Sequence, residues 1–309
     1  MRRVLFFLTL VAALAVVGRS FPAHAQTPPP TWSVADCQTC HDKAVGPSFT
    51  HTKHGALDQS CASCHPHVAE HVKAKMEGEE KAPVPSLKHL SAKESNDMCL
   101  ACHEKEGQTS WLNGMHARRN VRCTDCHSVH DYKSLKAQLK TARDPETCAT
   151  CHKNVRAKSL RTSHHPVREG KMECSSCHNP HEGAAPKMLK ADSVNDLCYK
   201  CHAEKRGPFA FEHAPVREDC VSCHAPHGSN HPRLLTQKMP NLCWSCHFTG
   251  SGHFGSGDNF STEKGVPVAP TGAPSGYPTV NSRFVERSCR TCHVKVHGSN
   301  HPSGAFFVR

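Results

Sequence analysis

Two cysteines three positions apart, followed directly by a histidine, recur ten times in this 309-residue chain. The CxxCH units begin at Cys37, Cys61, Cys99, Cys123, Cys148, Cys174, Cys198, Cys220, Cys243 and Cys289, and they consume all 20 cysteines. Two thiols at this spacing can each add across a vinyl group of one porphyrin, and the histidine after the second can ligate its iron from one face. Zinc knuckles also use CxxC, but they need no histidine after every second cysteine. With histidine near a tenth of residues, ten such coincidences have a chance of roughly one in ten billion.

The motif therefore predicts ten covalently bound haem c groups. Their thioether bonds would come from Cys37, Cys40, Cys61, Cys64, Cys99, Cys102, Cys123, Cys126, Cys148, Cys151, Cys174, Cys177, Cys198, Cys201, Cys220, Cys223, Cys243, Cys246, Cys289 and Cys292. The proximal iron ligands would be His41, His65, His103, His127, His152, His178, His202, His224, His247 and His293.

That many cofactors leaves little protein around each. The chain is 37% hydrophobic with its cysteines counted and 6% aromatic, and its mean hydropathy is −0.56. Each haem has only about 28 mature residues, so the porphyrins must serve as the apolar interior and the apo chain should be largely unfolded. The expected fold is a multihaem cytochrome c, mostly loops and short α-helices wrapped around a chain of ten haems, with almost no β-sheet. Helices are expected at several CxxCH motifs, at Lys133–Ala142 and at Val155–Thr162, joined by loops rich in Pro and Gly.

Residues 1–25 read as a secretory signal. Arg2 and Arg3 precede an apolar run from Val4 to Val17, and Ala23-His24-Ala25 supplies a small-x-small cleavage pattern. The run of about 14 residues is short of the roughly 20 that a spanning helix needs. Residues 26–309 are then expected to form one decahaem domain in the periplasm, where thiols can meet haem outside the cytoplasm. The formal charge of +11 falls to +8 once Arg2, Arg3 and Arg19 are removed. Each ferric haem with two ionised propionates adds about −1, and about −2 when reduced, so the basic balance gives no support to nucleic-acid binding.

Successive motifs start 24, 38, 24, 25, 26, 24, 22, 23 and 46 residues apart. Internal similarity gives a two-haem repeat. SVNDLCYKCH at Ser193–His202 resembles SNDMCLACH at Ser95–His103 and MPNLCWSCH at Met239–His247. Alternating with these are motifs followed soon by another histidine: CTDCHSVH, CSSCHNPH, CVSCHAPH and CRTCHVKVH. Five doublets account for the ten sites, with insertions at Val72–Lys93 and Gly255–Arg283.

Distal ligands decide between a wire and an enzyme, because an iron with two protein ligands has no open position for substrate. Beyond the motif histidines and His24, 16 remain for ten distal faces. His54, His116, His165, His213 and His253 precede the second motif of each doublet; His71, His130, His181, His227 and His297 follow it. A histidine three residues after the proximal one cannot reach the opposite face of the same porphyrin, so the second set must ligate neighbouring haems. The remaining His51, His67, His89, His164, His231 and His301 read as surface or propionate-bonding residues. His164 competes with His165, because aligning the two PVRE segments puts His164 opposite His213. No methionine is placed to be an axial ligand, and an all-histidine set implies comparatively low potentials.

From CQTCH at Cys37 to HGSNHPSG at His297–Gly304 the chain resembles the MtrA/DmsE family of decahaem cytochromes, the periplasmic components of outer-membrane porin-cytochrome conduits. The likeness rests on SVNDLCYKCHAEKRGP at Ser193–Pro208, EHAPV at Glu212–Val216 and CHNPH at Cys177–His181. It supports His71 over His67 and His165 over His164. It implies a bis-histidine haem chain sheathed in an outer-membrane β-barrel porin, with periplasmic electron-transfer cytochromes and an extracellular multihaem cytochrome as partners. The work at either end would be metal or sulfoxide reduction, or iron(II) oxidation. A polar chain of this kind has no lipid-compatible exterior, and a barrel interior is typically polar. Two other readings use the same motif. A soluble periplasmic shuttle would carry electrons without a barrel, and a multihaem reductase would need a five-coordinate iron, although every motif here ends in histidine. No catalytic residue is expected.

Overall fold

Each CxxCH motif is one helical turn. The histidine N–H donates to the first cysteine's carbonyl, as in His65 to Cys61 at 2.8 Å, His152 to Cys148 at 2.9 Å and His224 to Cys220 at 3.1 Å. That bond closes the five residues of the motif into one turn. In the computed structural model, the structure describes residues 33–43, 45, 47–57, 61–80, 87–104, 108, 110–181, 185–247 and 288–308. The signal segment, His253 and the insertion at Gly255–Arg283 lie outside the described residues.

The longest described helix, Ala92–His103, ends on a motif. Ser91 caps it by accepting from the Glu94 N–H, and the Glu94 carboxylate accepts from the Ser91 N–H in return. Helices Asp144–Ala149 and Val194–Tyr199 likewise run into motifs. Val68–Met76 fills the start of the first insertion. A helix was expected at Val155–Thr162; the one present is Lys153–Ser159. Residues beyond it leave the helix to pair Ser163 with Ser229 in an antiparallel bridge.

Lys133–Ala142 is not the helix that its pattern predicts. It folds back on itself: Ser128 N–H donates to the Gln138 carbonyl at 2.8 Å, Lys140 N–H donates to that of Cys126 at 3.0 Å, and Leu139 bridges to His127. The same reversal follows the sixth and eighth motifs, where Leu189 bridges to His178 and Leu235 to His224. In each, the turn passes through left-handed backbone at Gln138, Lys187 or Arg233. Strain of this kind persists where the surroundings need the geometry. Here the need is a carbonyl aimed at a motif histidine.

Among the described residues β-pairing is confined to isolated bridges, and buried hydrophobic side chains number six: Val45, Phe49, Val68, Ala74, Trp111 and Leu242. No large side chain there is fully buried. So sparse an apolar core cannot offset the chain entropy of a domain this size. The fold is that of a multihaem cytochrome c, built of short helices and loops.

Candidate haem-binding sites

Among the described residues imidazole rings lie opposite each other in nine pairs, each joining one motif histidine to one histidine outside the motifs. The pairs are His41–His71, His103–His54, His65–His130, His152–His116, His127–His181, His202–His165, His178–His227, His247–His213 and His224–His297. Their ring centres are between 5.8 Å and 6.4 Å apart. Two metal–nitrogen bonds of about 2.0–2.1 Å, each extended by about 1.1 Å to the ring centre, separate two imidazoles on one metal by about 6.2–6.4 Å. The observed separations lie within about 0.4 Å of the span that an iron between two imidazoles would need.

The imidazoles are prepared as neutral ligands. In one class of pair the motif histidine's Nδ1–H donates to a backbone carbonyl: His127 to Ala137 at 2.7 Å, His178 to Lys187 at 2.9 Å and His224 to Arg233 at 2.8 Å; the motif histidine His293 bonds the Phe306 carbonyl in the same way. In the other class the facing histidine does so: His116 to Pro180 at 3.1 Å, His165 to Pro226 at 2.9 Å and His213 to Val296 at 3.0 Å. Such a bond fixes the tautomer and ring angle and leaves Nε2 free for metal. Burial holds His54, His65, His213 and His227 below the usual histidine range and takes His297 down to about 4. Aromatic rings back several of them: Phe49 against His130, Trp111 against His181 and Phe307 against His213.

The thiols are arranged as regularly. Within each doublet the first cysteines of the two motifs meet. Cys37 Sγ lies 3.9 Å from Cys61 Sγ, and Cys99 with Cys123, Cys148 with Cys174, Cys198 with Cys220 and Cys243 with Cys289 are hydrogen-bond neighbours. Between doublets the second cysteine of one doublet's second motif is the electrostatic neighbour of the second cysteine in the next doublet's first motif: Cys64 with Cys102, Cys126 with Cys151, Cys177 with Cys201 and Cys223 with Cys246. The motifs thus adjoin one another in chain order. Among the described residues three buried nitrogens, Trp111 Nε1, His130 Nδ1 and Arg290 Nε, have no hydrogen-bond partner. A propionate is the kind of acceptor they fit, so the residues present suit haem on ring spacing, thiol placement and donors alike.

Six histidines stand apart from these pairs. His67 sits in left-handed backbone with its Nδ1 3.6 Å from Glu70. His164 bonds Glu169 at 3.1 Å and accepts no place opposite a motif ring, whereas its neighbour His165 faces His202. His301 contacts Ser303 Oγ at 3.1 Å, His51 and His89 are exposed, and His231 takes no part in a ring pair. His253, expected as a distal ligand, lies outside the described residues.

What the sequence did not single out is the set of side chains joining the two motifs of a doublet. Asn96 Oδ1 accepts from the Cys123 N–H at 2.8 Å, and Asn195 Oδ1 accepts from the Cys220 N–H at 2.8 Å. Asp144 accepts from the N–H groups of Cys174 and Ser175 at 3.0 Å and 2.8 Å. The resemblance of SNDMC to SVNDLC held the signal, since the shared asparagine stands three residues before the cysteine in both.

The doubled CXXCH motif family matches residues 116–157, 164–207 and 213–251. The chain is 38% identical over 283 residues to the multihaem cytochrome MtrA of Shewanella baltica, covering 88% of this chain and 80% of that one. It is 26% identical to the cytochrome c-type protein NrfB of Haemophilus influenzae, over 30% of this chain and 43% of the relative. It is 27% identical to the high-molecular-weight cytochrome c of Nitratidesulfovibrio vulgaris, over 35% and 24%. Paired motifs, facing imidazoles and this extended identity lead to one assignment: the chain belongs to the MtrA family of multihaem c-type cytochromes, electron-transfer proteins that carry several covalently attached haems.

Proposed function

We propose that the chain is a ten-haem wire crossing the outer membrane inside a β-barrel porin, linking periplasmic cytochromes to extracellular donors or acceptors. In this reading residues 1–25 are removed on export and residues 26–309 form the decahaem domain. The observation that carries it is the exchange of histidines between doublets. At each of four junctions two ring pairs cross in opposite directions: His54–His103 with His65–His130, His116–His152 with His127–His181, His165–His202 with His178–His227, and His213–His247 with His224–His297. At the first doublet His41 is instead faced by His71, from the same doublet. His253 is the proposed second ligand for the haem held by His293. Bound haem supplies a one-electron Fe(III)/Fe(II) couple at every such site.

The protein residues do the rest. Each motif turn anchors a porphyrin through two thioethers, and two imidazoles leave no coordination site for substrate, which favours conduction over a reductase. The crossed histidines tie every doublet to the next, so the sites cannot drift apart without breaking axial bonds. A bilayer core of about 30 Å bars electrons that have no redox centre within it. None of the described helices is long and apolar enough to cross a membrane. A polar protein carrying a line of redox centres needs a sheath, and the relationship to MtrA favours a porin. Fractionation tests this: the holoprotein should co-purify with a barrel protein from outer membranes. Release of the whole population with the soluble periplasm, free of any barrel, would leave a shuttle instead.

A further inference from the structure

A buried amide is costly unless both its oxygen and its nitrogen find partners. Asn96 and Asn195 are 4% and 8% exposed, in a protein with hardly any apolar core. Both are fully used. Asn96 accepts from the Cys123 N–H and donates from Nδ2 to the Val121 carbonyl at 3.0 Å. Asn195 accepts from the Cys220 N–H and donates to the carbonyls of Val216 at 3.0 Å and Arg217 at 2.9 Å. Asp144 reaches the same point of its doublet with different chemistry, its two carboxylate oxygens taking the N–H groups of Cys174 and Ser175.

In all three cases the side chain belongs to the helix that carries one motif: Ala92–His103, Asp144–Ala149 or Val194–Tyr199. In all three the acceptor meets the first N–H of the turn that carries the other motif: Cys123–Cys126, Cys174–Ser176 or Cys220–Ser222. These N–H groups start a helical turn and have no partner within it. The motif starts are separated by 24, 26 and 22 residues in these doublets, yet the bond lands on the same atom each time. Linker length therefore does not set the register of the two turns; the side chain does.

We propose that Asn96, Asp144 and Asn195 are positioning residues that fix the two haem-bearing turns of doublets two, three and four against each other, and so set the coupling between the two haems of each pair. The proposal rests on both motifs of a doublet carrying haem. Its readout is the bilobed Soret circular dichroism of closely spaced haems, to which each coupled pair contributes according to its distance and angle.

The test uses the full holoprotein with Asn195→Ala and Asp144→Ala, and with Asn154→Ala on the exposed face of helix Lys153–Ser159 as control. Mass should report unchanged haem content, and absorption should stay low-spin. The Soret couplet should lose the share of one doublet in each of the first two variants and stay intact in the control. Asn195→Asp keeps an acceptor for the Cys220 N–H and should regain part of the loss. An unaltered couplet in both alanine variants would overturn the proposal, as would loss of a haem at Cys220 in Asn195→Ala, which would make the residue a maturation determinant. If the alanine variants do not accumulate, Asp144→Asn, which keeps one of two acceptors, decides by a partial loss or none. A parent protein lacking haem at one of these motifs would refute the attachment reading for that doublet, and the clasp would stay testable in the others.

Discussion

Replacing His181 with methionine probes one rung of the wire without removing it. His181 stacks against His127 at 5.8 Å between ring centres, tilted by 22°, and Trp111, itself 5% exposed, packs behind it. A thioether in that slot exchanges one imidazole for a softer donor that favours Fe(II) and raises the potential. Axial ligation spans about 0.8 V, and exchanging one of two ligands is worth on the order of 0.15 V of it. At 59 mV per tenfold for one electron, the altered site would hold its electron about 300-fold more tightly than before. That is roughly 3.5 kcal/mol, and departure to the next site slows by up to the same factor. Protein-film voltammetry should show about a tenth of the charge moving positive by about 0.15 V, with haem content unchanged. An unchanged envelope in a fully loaded variant would refute the pairing of His181 with His127.

Among other expected outcomes, His71→Ala and His165→Ala should each create a high-spin haem visible in the absorption spectrum. His67→Ala and His164→Ala should leave the spectrum low-spin, because their rings face Glu70 and Glu169. Gly228→Ala should weaken the junction that carries His227: its φ is +130°, and an added Cβ would sit 2.0 Å from the Lys158 carbonyl oxygen. Backbone strain of about 1–3 kcal/mol plus that clash should lower the melting midpoint by roughly 5–10 °C, and an unchanged midpoint would contradict the tight docking of the two doublets. Chain made without haem attachment should give a far-ultraviolet dichroism spectrum close to random coil, since the described apolar core is six side chains.

The multihaem architecture could be read in the sequence because covalent attachment demands a fixed local spacing. CxxCH leaves no freedom of register, and the distal histidines recur at set offsets from it. Helix prediction failed where the cofactor sites overrode propensity. KSLKAQLK has helical periodicity, but the His127 ring needs the Ala137 carbonyl, and residues after Lys133 turn back to provide it. The corresponding loops ending at Leu189 and Leu235 carry prolines at Pro186 and Pro232, so comparing the three would have revealed a turn. His164 and His165 could not be separated by pattern, because both follow the same helix. Their roles differ through a partner distant in sequence, since the Pro226 carbonyl orients His165 whereas Glu169 holds His164. The asparagine and aspartate clasps were hidden for a similar reason: the motif N–H groups they bind lie in the other motif of the doublet, 25 to 31 residues downstream.

Combined intact-mass and low-temperature electron paramagnetic resonance measurement of the oxidised protein tests the central claim most directly. Ten covalent haems, all low-spin with two imidazole ligands, is the predicted result. Fewer than ten attached haems, or a stoichiometric high-spin iron open to exogenous ligand, would contradict a continuous line of sites gripped from both faces.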